Sequence, residues 1–349
     1  MIPILTVNSG SSSLKASLFK ADGQRRDFYY GHVHNQHDAF DQLMHDLGSD
    51  SPKLIGHRFV HGGKIDDAAR IVDTREYARL ESLTYMAPLH MPGNLMGVEM
   101  CAQRFLVPQV ACFDTAFHST MPPLAKRLPL PTELGFRRFG FHGLNYAHIA
   151  RRLPEYLEDA TGTILVAHLG SGSSMCLLQG LKSVDTSMGY TPAGGIVMGT
   201  RSGDIDPGVI LKLAKRYKPE ALSDLVYHQM GLYALSDRES SEMSDLLASQ
   251  SESAKFAVAY YCRQVRAAIG AYAAKAGGLD ALVFTAGIGE HSSEVRATIC
   301  DGLQFMGIEL DEAANLKHQR RIEKTGAMPV LIIPSDEERM IRDLCLEFA

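Results

Sequence analysis

A chain of 349 residues exceeds what one hydrophobic core ordinarily supports, and 45% hydrophobic residues can fill two, so two domains are expected. With 35 basic against 40 acidic residues, nucleic acid is excluded as the main partner, and no apolar run is long enough to span a membrane. The six cysteines form no C-x-x-C pair, which argues against zinc and disulfides; the start, Met1-Ile2-Pro3-Ile4, lacks signal-peptide character, so a cytoplasmic location is expected.

The pattern predicts a strand over residues 2–7, then Asn8-Ser9-Gly10-Ser11-Ser12-Ser13, then a strand over 14–19 that begins Leu14-Lys15. Gly10 permits a tight turn, serine N–H and O–H groups suit phosphate oxygens or a hydrated metal, and Lys15 adds a charge. Taken alone this reads more readily as an ordinary Ser/Gly hairpin. Strands follow over 54–60 and 110–113, and residues 126–138, with Pro129, Pro131 and Gly135, form the most loop-like connection between the halves.

A strand over 164–169 runs into His168-Leu169-Gly170-Ser171-Gly172-Ser173-Ser174, a second turn of the same kind, before a strand over 175–178. Two such strand-turn-strand loops imply two similar domains. A helix over 253–276 carries an apolar face of Phe256, Ala257, Tyr260, Tyr261, Val265, Ala268, Ile269 and Tyr272 and stops at Gly277-Gly278. The strand over 281–285 enters a third glycine loop, Gly287-Ile288-Gly289-Glu290-His291, with a helix expected from about Ser292. A strand over 329–333 and a helix over 337–348 close the chain, the helix crossing back to the first domain.

Phosphate loops on two facing domains resemble the actin, heat-shock chaperone and sugar kinase superfamily. Within it the chain resembles the acetate kinase family along most of its length. The motifs that carry the resemblance are Asn8-Ser9-Gly10-Ser11-Ser12-Ser13-Leu14-Lys15, Gly56-His57-Arg58-Phe59-Val60-His61-Gly62-Gly63, Ala87-Pro88-Leu89-His90 and Phe113-Asp114-Thr115-Ala116-Phe117-His118. They continue with Gly140-Phe141-His142-Gly143, Ser183-Val184-Asp185-Thr186-Ser187-Met188-Gly189, Gly199-Thr200-Arg201-Ser202-Gly203-Asp204-Ile205-Asp206-Pro207 and Pro334-Ser335-Asp336-Glu337-Glu338. The resemblance implies an α/β fold of two related actin-like, ribonuclease H-like domains with the active site in their cleft. The expected division is 1–147, with 336–349 packing back on it, and 148–335 for the nucleotide.

Bringing two anions together for phosphoryl transfer requires cations, and Arg58 and Arg201 stand in Gly-rich polar motifs where a guanidinium can bind carboxylate or phosphoryl oxygens. Either alone could equally be a structural ion pair. The resemblance implies that both support the transition state, that His142 hydrogen-bonds the transferring phosphoryl group, and that Asp114 either holds the metal's waters or polarises the substrate region. It implies an apolar slot for the acyl methyl group from Val60, Leu89, Phe141 and Pro192, and Mg2+, with Mn2+ an alternative, supported by Asn8 and Glu337. ATP or ADP would meet Ser11, Ser13, Lys15, His168, Gly170, Ser171, Gly172, Gly287, Ile288, Gly289 and His291. His57, His61 and His118 read mainly as scaffolding, while His90 and His168 remain candidates for contact with acyl or nucleotide phosphate groups.

The implied reaction is reversible transfer between ATP and acetate by a homodimer, giving acetyl phosphate. Propionate kinase, another phosphoryl donor such as pyrophosphate, and an actin-like ATPase are the alternatives. The chain departs from the family at Ser171 and His291, where asparagine is usual, and at Glu242 and Ser244, where Asp and Arg are usual; Arg238 is the candidate to replace that arginine.

Overall fold

The computed structural model describes residues 2–10, 13–31, 35–88 and 90–349. The expected site residues Ser11 and Leu89 lie outside them. The chain forms two compact units: Met1–Ser119 with Phe141–His148 and Asp336–Ala349, and Thr120–Gly140 with Ile149–Ser335.

The first unit is built on a six-stranded sheet of β1 (Ile4–Ser9), β2 (Leu14–Phe19), β3 (Arg25–Tyr30), β4 (Leu54–Phe59), β5 (Ala69–Ile71) and β6 (Gln109–Phe113), in the order β3-β2-β1-β4-β6-β5. The first three strands form an antiparallel meander, and β4 and β6 run parallel to β1. Period-two alternation sends Leu5 and Val7 to one face, against Phe40 and Leu43 of the helix Gln36–Leu47, and Ile4 to the other. On that second face Ile4, Leu54, Val110 and Cys112 cluster with Met340, Ile341 and Leu344 of the helix Glu337–Cys345. Gly56 permits this approach: a Cβ there would stand 2.5 Å from both Cys345 Sγ and Ile341 Cγ2.

The second unit has a five-stranded sheet of β7 (Thr163–Leu169), β8 (Ser173–Gln179), β9 (Lys182–Thr186), β10 (Ala281–Thr285) and β11 (Val330–Ile332), in the order β11-β10-β7-β8-β9. The series β9-β8-β7-β10-β11 repeats β3-β2-β1-β4-β6 strand for strand, with the same parallel and antiparallel neighbours. Each unit thus places a hairpin turn at the carboxyl end of its central strand, beside the carboxyl end of a parallel neighbour. In α/β sheets that is where ligands bind. Residues 120–140 belong to the second unit: Arg138 Nη1 donates to the carbonyls of Thr186, Ser187 and Met188 at 3.0, 2.9 and 3.0 Å.

Several elements differ from the sequence expectation. β1 runs to Ser9 because Asn8 pairs with Lys15 and Ser9 with Leu14, so Asn8 belongs to a strand rather than to a turn. β3, β5 and β9 escape a search for apolar runs because they are short or mainly polar, as β3 (RRDFYY) illustrates. The helix Glu252–Ala276 buries Ala254, Ala257, Tyr261, Val265, Ile269 and Tyr272 but leaves Phe256 58% and Tyr260 37% exposed, one helical step off the buried stripe. After β10 the helix starts at once, over Ala286–His291, with Ala286 at φ 65° making the turn; a second helix, Ser293–Cys300, follows.

Candidate active site

At the carboxyl end of β4 in the first unit, Arg58 is held by the end of β6. Its Nε donates to Asp114 Oδ2 at 2.8 Å, and Nη2 lies 2.6 Å from the same oxygen. Its Nη1 donates to Asn8 Oδ1 at 3.2 Å. Burial opposes the Arg58 charge, but Asp114 and then Glu337 outweigh it and raise its pKa. Asp114 is wholly buried, and burial pushes its carboxyl up to about 6, with Arg58 pulling down and Glu337 pushing further up.

The Asn8 amide N–H2 donates to Glu337 Oε2 at 2.8 Å and to Glu338 Oε1 at 3.1 Å, so one strand residue orients two carboxylates in the first turn of the helix Glu337–Cys345. Burial and the adjacent Glu337 raise the pKa of Glu338, with Lys15 among the groups pulling it down. The helix start is fixed by Asp336, which caps the Arg339 N–H at 3.0 Å and pairs with Arg25 at 2.7 Å. Asn8, Arg58, Asp114, Glu337 and Glu338 therefore form one continuous polar cluster. Glu338 stands in the acidic motif and could have been found there.

Asp114 also seats His142. Gly143 N–H donates to the Asp114 carbonyl at 2.9 Å, and a Cβ on Gly143 would lie 2.1 Å from that oxygen, so only glycine fits. His142 takes the left-handed conformation, φ 57°, which turns the chain into the helix Gly143–Arg152. Phe141 and Val60 are buried, and the Phe141 ring meets His61 edge-on at 5.8 Å. His118 Nε2 lies 2.9 Å from the Phe141 carbonyl, His61 Nδ1 accepts from Gly63 N–H at 2.8 Å, and His57 Nε2 lies 2.6 Å from Gln109 Oε1. These three histidines hold the scaffold. The sequence also singles out neither Asn94 nor Gln36, whose amides grip the β1–β2 turn; neither lies in a chemical motif.

In the second unit, Arg201 Nη1 donates to the Pro192 carbonyl at 2.6 Å, joining two expected site residues. The Arg201 loop is clamped by residues 230–233: Met230, Leu232 and Tyr233 N–H groups donate to the carbonyls of Thr200, Met198 and Gly199 at 3.0, 2.9 and 2.9 Å. The Ser171 carbonyl accepts from Gly199 N–H at 3.0 Å, so the β7–β8 turn and the Arg201 loop are tied. Within that turn Ser173 Oγ donates to the Gly170 carbonyl at 2.8 Å and meets Tyr261 Oη at 2.9 Å. His168 is buried at the end of β7, while Ser171, Gly287 and His291 are exposed. The buried Arg296 braces the third loop by donating to the carbonyls of Gly289 and Glu290, both at 2.9 Å; burial lowers its pKa to about 10. Arg238, Glu242 and Ser244 are exposed.

Residues 23–343 match the acetokinase family. The chain is 40% identical over 385 aligned residues to acetate kinase of Nitrobacter hamburgensis, covering 98% of this chain and 95% of that protein. It is 42% identical over 300 residues to propionate kinase of Citrobacter rodentium, covering 82% and 74%. Among solved structures it resembles a propionate kinase from Francisella tularensis, with TM-score 0.90, 30% identity and coverage of 99% and 100%. The corresponding values for acetate kinase from Entamoeba histolytica are TM-score 0.86, 30% identity, and 98% of each chain. Fold and likeness together define a phosphotransferase with a carboxyl group as acceptor, built on the actin-like and sugar kinase type of α/β fold. The chain belongs to the acetokinase family.

Proposed function

We propose that the enzyme transfers a phosphoryl group reversibly between ATP and acetate, giving ADP and acetyl phosphate. The observation that carries this reading is the half-buried Arg58, fixed by the wholly buried Asp114 at the end of β4, two residues before the buried Val60. A carboxylate recognised by Arg58 is already ionised at neutral pH and needs no general base. Its oxygen attacks the terminal phosphorus in line; the bond to the ADP oxygen breaks, and its electron pair leaves with ADP. Arg58 and Arg201 offset the charge on the equatorial oxygens, and His142 donates a hydrogen bond to them.

Val60, Leu89, Phe141 and Pro192 enclose the methyl group in this reading. Ser11, Ser13, Lys15, His168, the turn 170–172 and residues 287–289 with His291 receive the nucleotide. The oxygen donors of Glu337 and Glu338, held by the Asn8 amide, fit Mg2+ or Mn2+, hard cations that take few protein ligands and retain water. The ion would neutralise nucleotide phosphates. A homodimer is supported by the helices Pro207–Arg216 and Pro219–His228, which bury none of their residues, with Leu211 66% exposed. A second copy would cover them, and the protein would act in the cytoplasm. Among the described residues no helix is long and apolar enough to cross a membrane.

The test is acyl hydroxamate formation from acetate, ATP, Mg2+ and hydroxylamine. Acetate-dependent product is expected; no product with any nucleotide or pyrophosphate would end the reading. The likeness to propionate kinases supports propionate as a second acceptor, poorer because one methylene changes recognition by ~1–3 kcal/mol.

A further inference from the structure

We infer that Gln36 and Asn94 are positioning residues that keep the end of β1, where the chain enters the β1–β2 turn, receptive to phosphate by taking up the carbonyl oxygens of Ser9 and Gly10. A turn that receives an anion must keep carbonyl dipoles away from it, since each partial negative oxygen aimed inward repels the ligand. The last carbonyl of β1, that of Ser9, and the two described carbonyls of the turn, those of Gly10 and Ser13, are all engaged. Asn94 Nδ2 donates to the Ser9 carbonyl at 3.0 Å, Gln36 Nε2 to the Gly10 carbonyl at 2.8 Å, and Gly10 N–H to the Ser13 carbonyl at 2.8 Å.

The two amides also use their oxygens. Gln36 Oε1 accepts from Ser9 Oγ at 3.2 Å, and Asn94 Oδ1 accepts from Val60 N–H at 3.2 Å. Asn94 is only 2% exposed and sits in the helix Met91–Arg104. Gln36 is the first residue of the helix Gln36–Leu47. Two helices thus each contribute one amide, and a carboxylate at either place would have the same shape without the donor. Asn94 further links the turn to the backbone of Val60, so it couples the phosphate turn to the acyl side. The inference rests on the proposed reading that this turn meets the phosphate end of the donor.

Near-isosteric replacements test it. Gln36→Glu and Asn94→Asp each remove one N–H donor and set a carboxylate against a carbonyl; Gln36→Met removes the donor without adding charge. Calorimetric ADP binding and steady-state kinetics are measured on the full-length protein, with unfolding midpoints as a check. ADP affinity and the KM for ATP should worsen about tenfold or more in both carboxylate variants and by less in Gln36→Met, with the KM for acetate within about twofold in Gln36→Glu. General loosening of the fold would shift both substrates together, so parallel changes in the two KM values of Gln36→Glu would overturn the inference. Wild-type ADP affinity in Gln36→Glu would do the same. A wild-type protein that makes no acyl phosphate, yet binds ADP with an affinity dependent on Gln36, would retire the acetate kinase reading and retain the clamp.

Discussion

Arg58 and Asp114, 56 positions apart, meet at the ends of two adjacent parallel strands, with Arg58 Nη2 2.6 Å from Asp114 Oδ2. Asp114 is fully buried, and its backbone carbonyl also receives Gly143 N–H, so one acid aligns the guanidinium and the turn that presents His142. Breaking a buried pair by removing one partner leaves the other charge uncompensated.

Arg58→Ala should lower turnover by roughly a hundredfold or more, because it removes a charged donor at the transition state. Arg58→Lys should rescue only in part, since a point charge cannot span Asp114 and a substrate oxygen as the planar fork does. Single-turnover rates with saturating substrates check this. Turnover of the folded Arg58→Ala protein close to wild type would remove Arg58 from the chemistry.

Gly231 offers a way to disturb Arg201 without altering it. It has φ 65°, and a Cβ would lie 2.2 Å from the Met198 carbonyl and 2.8 Å from Arg201 N and O. Gly231→Ala must move the Arg201 loop, so kcat should fall about tenfold and stability by ~1–3 kcal/mol. Gly277→Ala is the control, with φ 76° and nothing within 4 Å; it should cost ~1–2 kcal/mol of left-handed strain and leave kcat unchanged. Equal activities in the two variants would show that the clamp does not serve Arg201.

His57 should make the protein acid-sensitive. Burial lowers its pKa from 6.5 to about 4, the Gln109 hydrogen bond offsetting only part of this. The unfolded chain takes up a proton below about pH 6.5 that the folded chain refuses until about pH 4, so stability increases with pH across that window and is lost on acidification. The contribution is at most ~3 kcal/mol. Urea unfolding at pH 7 and pH 5 should show the loss in wild type and a smaller one in His57→Gln; identical slopes would assign the acid sensitivity elsewhere.

Donor choice should be broad. Ser171 and His291 are exposed, and the turns that carry them are fixed through main-chain atoms, by the Ser171 carbonyl to Gly199 and by Arg296 to the carbonyls of Gly289 and Glu290. The two loops therefore keep their shape whatever side chain stands at 171 or 291. Wild type should accept GTP or pyrophosphate alongside ATP with a high KM for ATP, and Ser171→Asn with His291→Asn should lower that KM several-fold. Exclusive, tight ATP use by wild type with no gain in the double variant would leave these two side chains without a role in donor choice.

The sequence by itself determined the elements whose physics is local. Apolar runs set β2, β7, β8 and β10, Gly277 closed the helix Glu252–Ala276, and the ordered motifs announced the family. The edge strands β3, β5 and β9 stayed hidden because their stability comes from backbone pairing with a neighbour, which polar residues such as Arg25-Arg26-Asp27 provide as readily as apolar ones. The stripe of the long helix needed a partner surface before Phe256 and Tyr260 could be placed outside it.

Only tertiary structure decided how the motifs meet. No spacing rule connects Asn8 to Glu337 across 329 positions; the contact exists because the helix Glu337–Cys345 packs Ile341 and Cys345 onto Gly56, next to β1. Nor could Asn94 and Gln36 be found from residue type, since an amide on a helix gains meaning only when folding sets an unpaired carbonyl opposite it. Local propensity acts within a few residues, whereas the chemistry depends on strand ends and helix starts that parallel crossovers bring together.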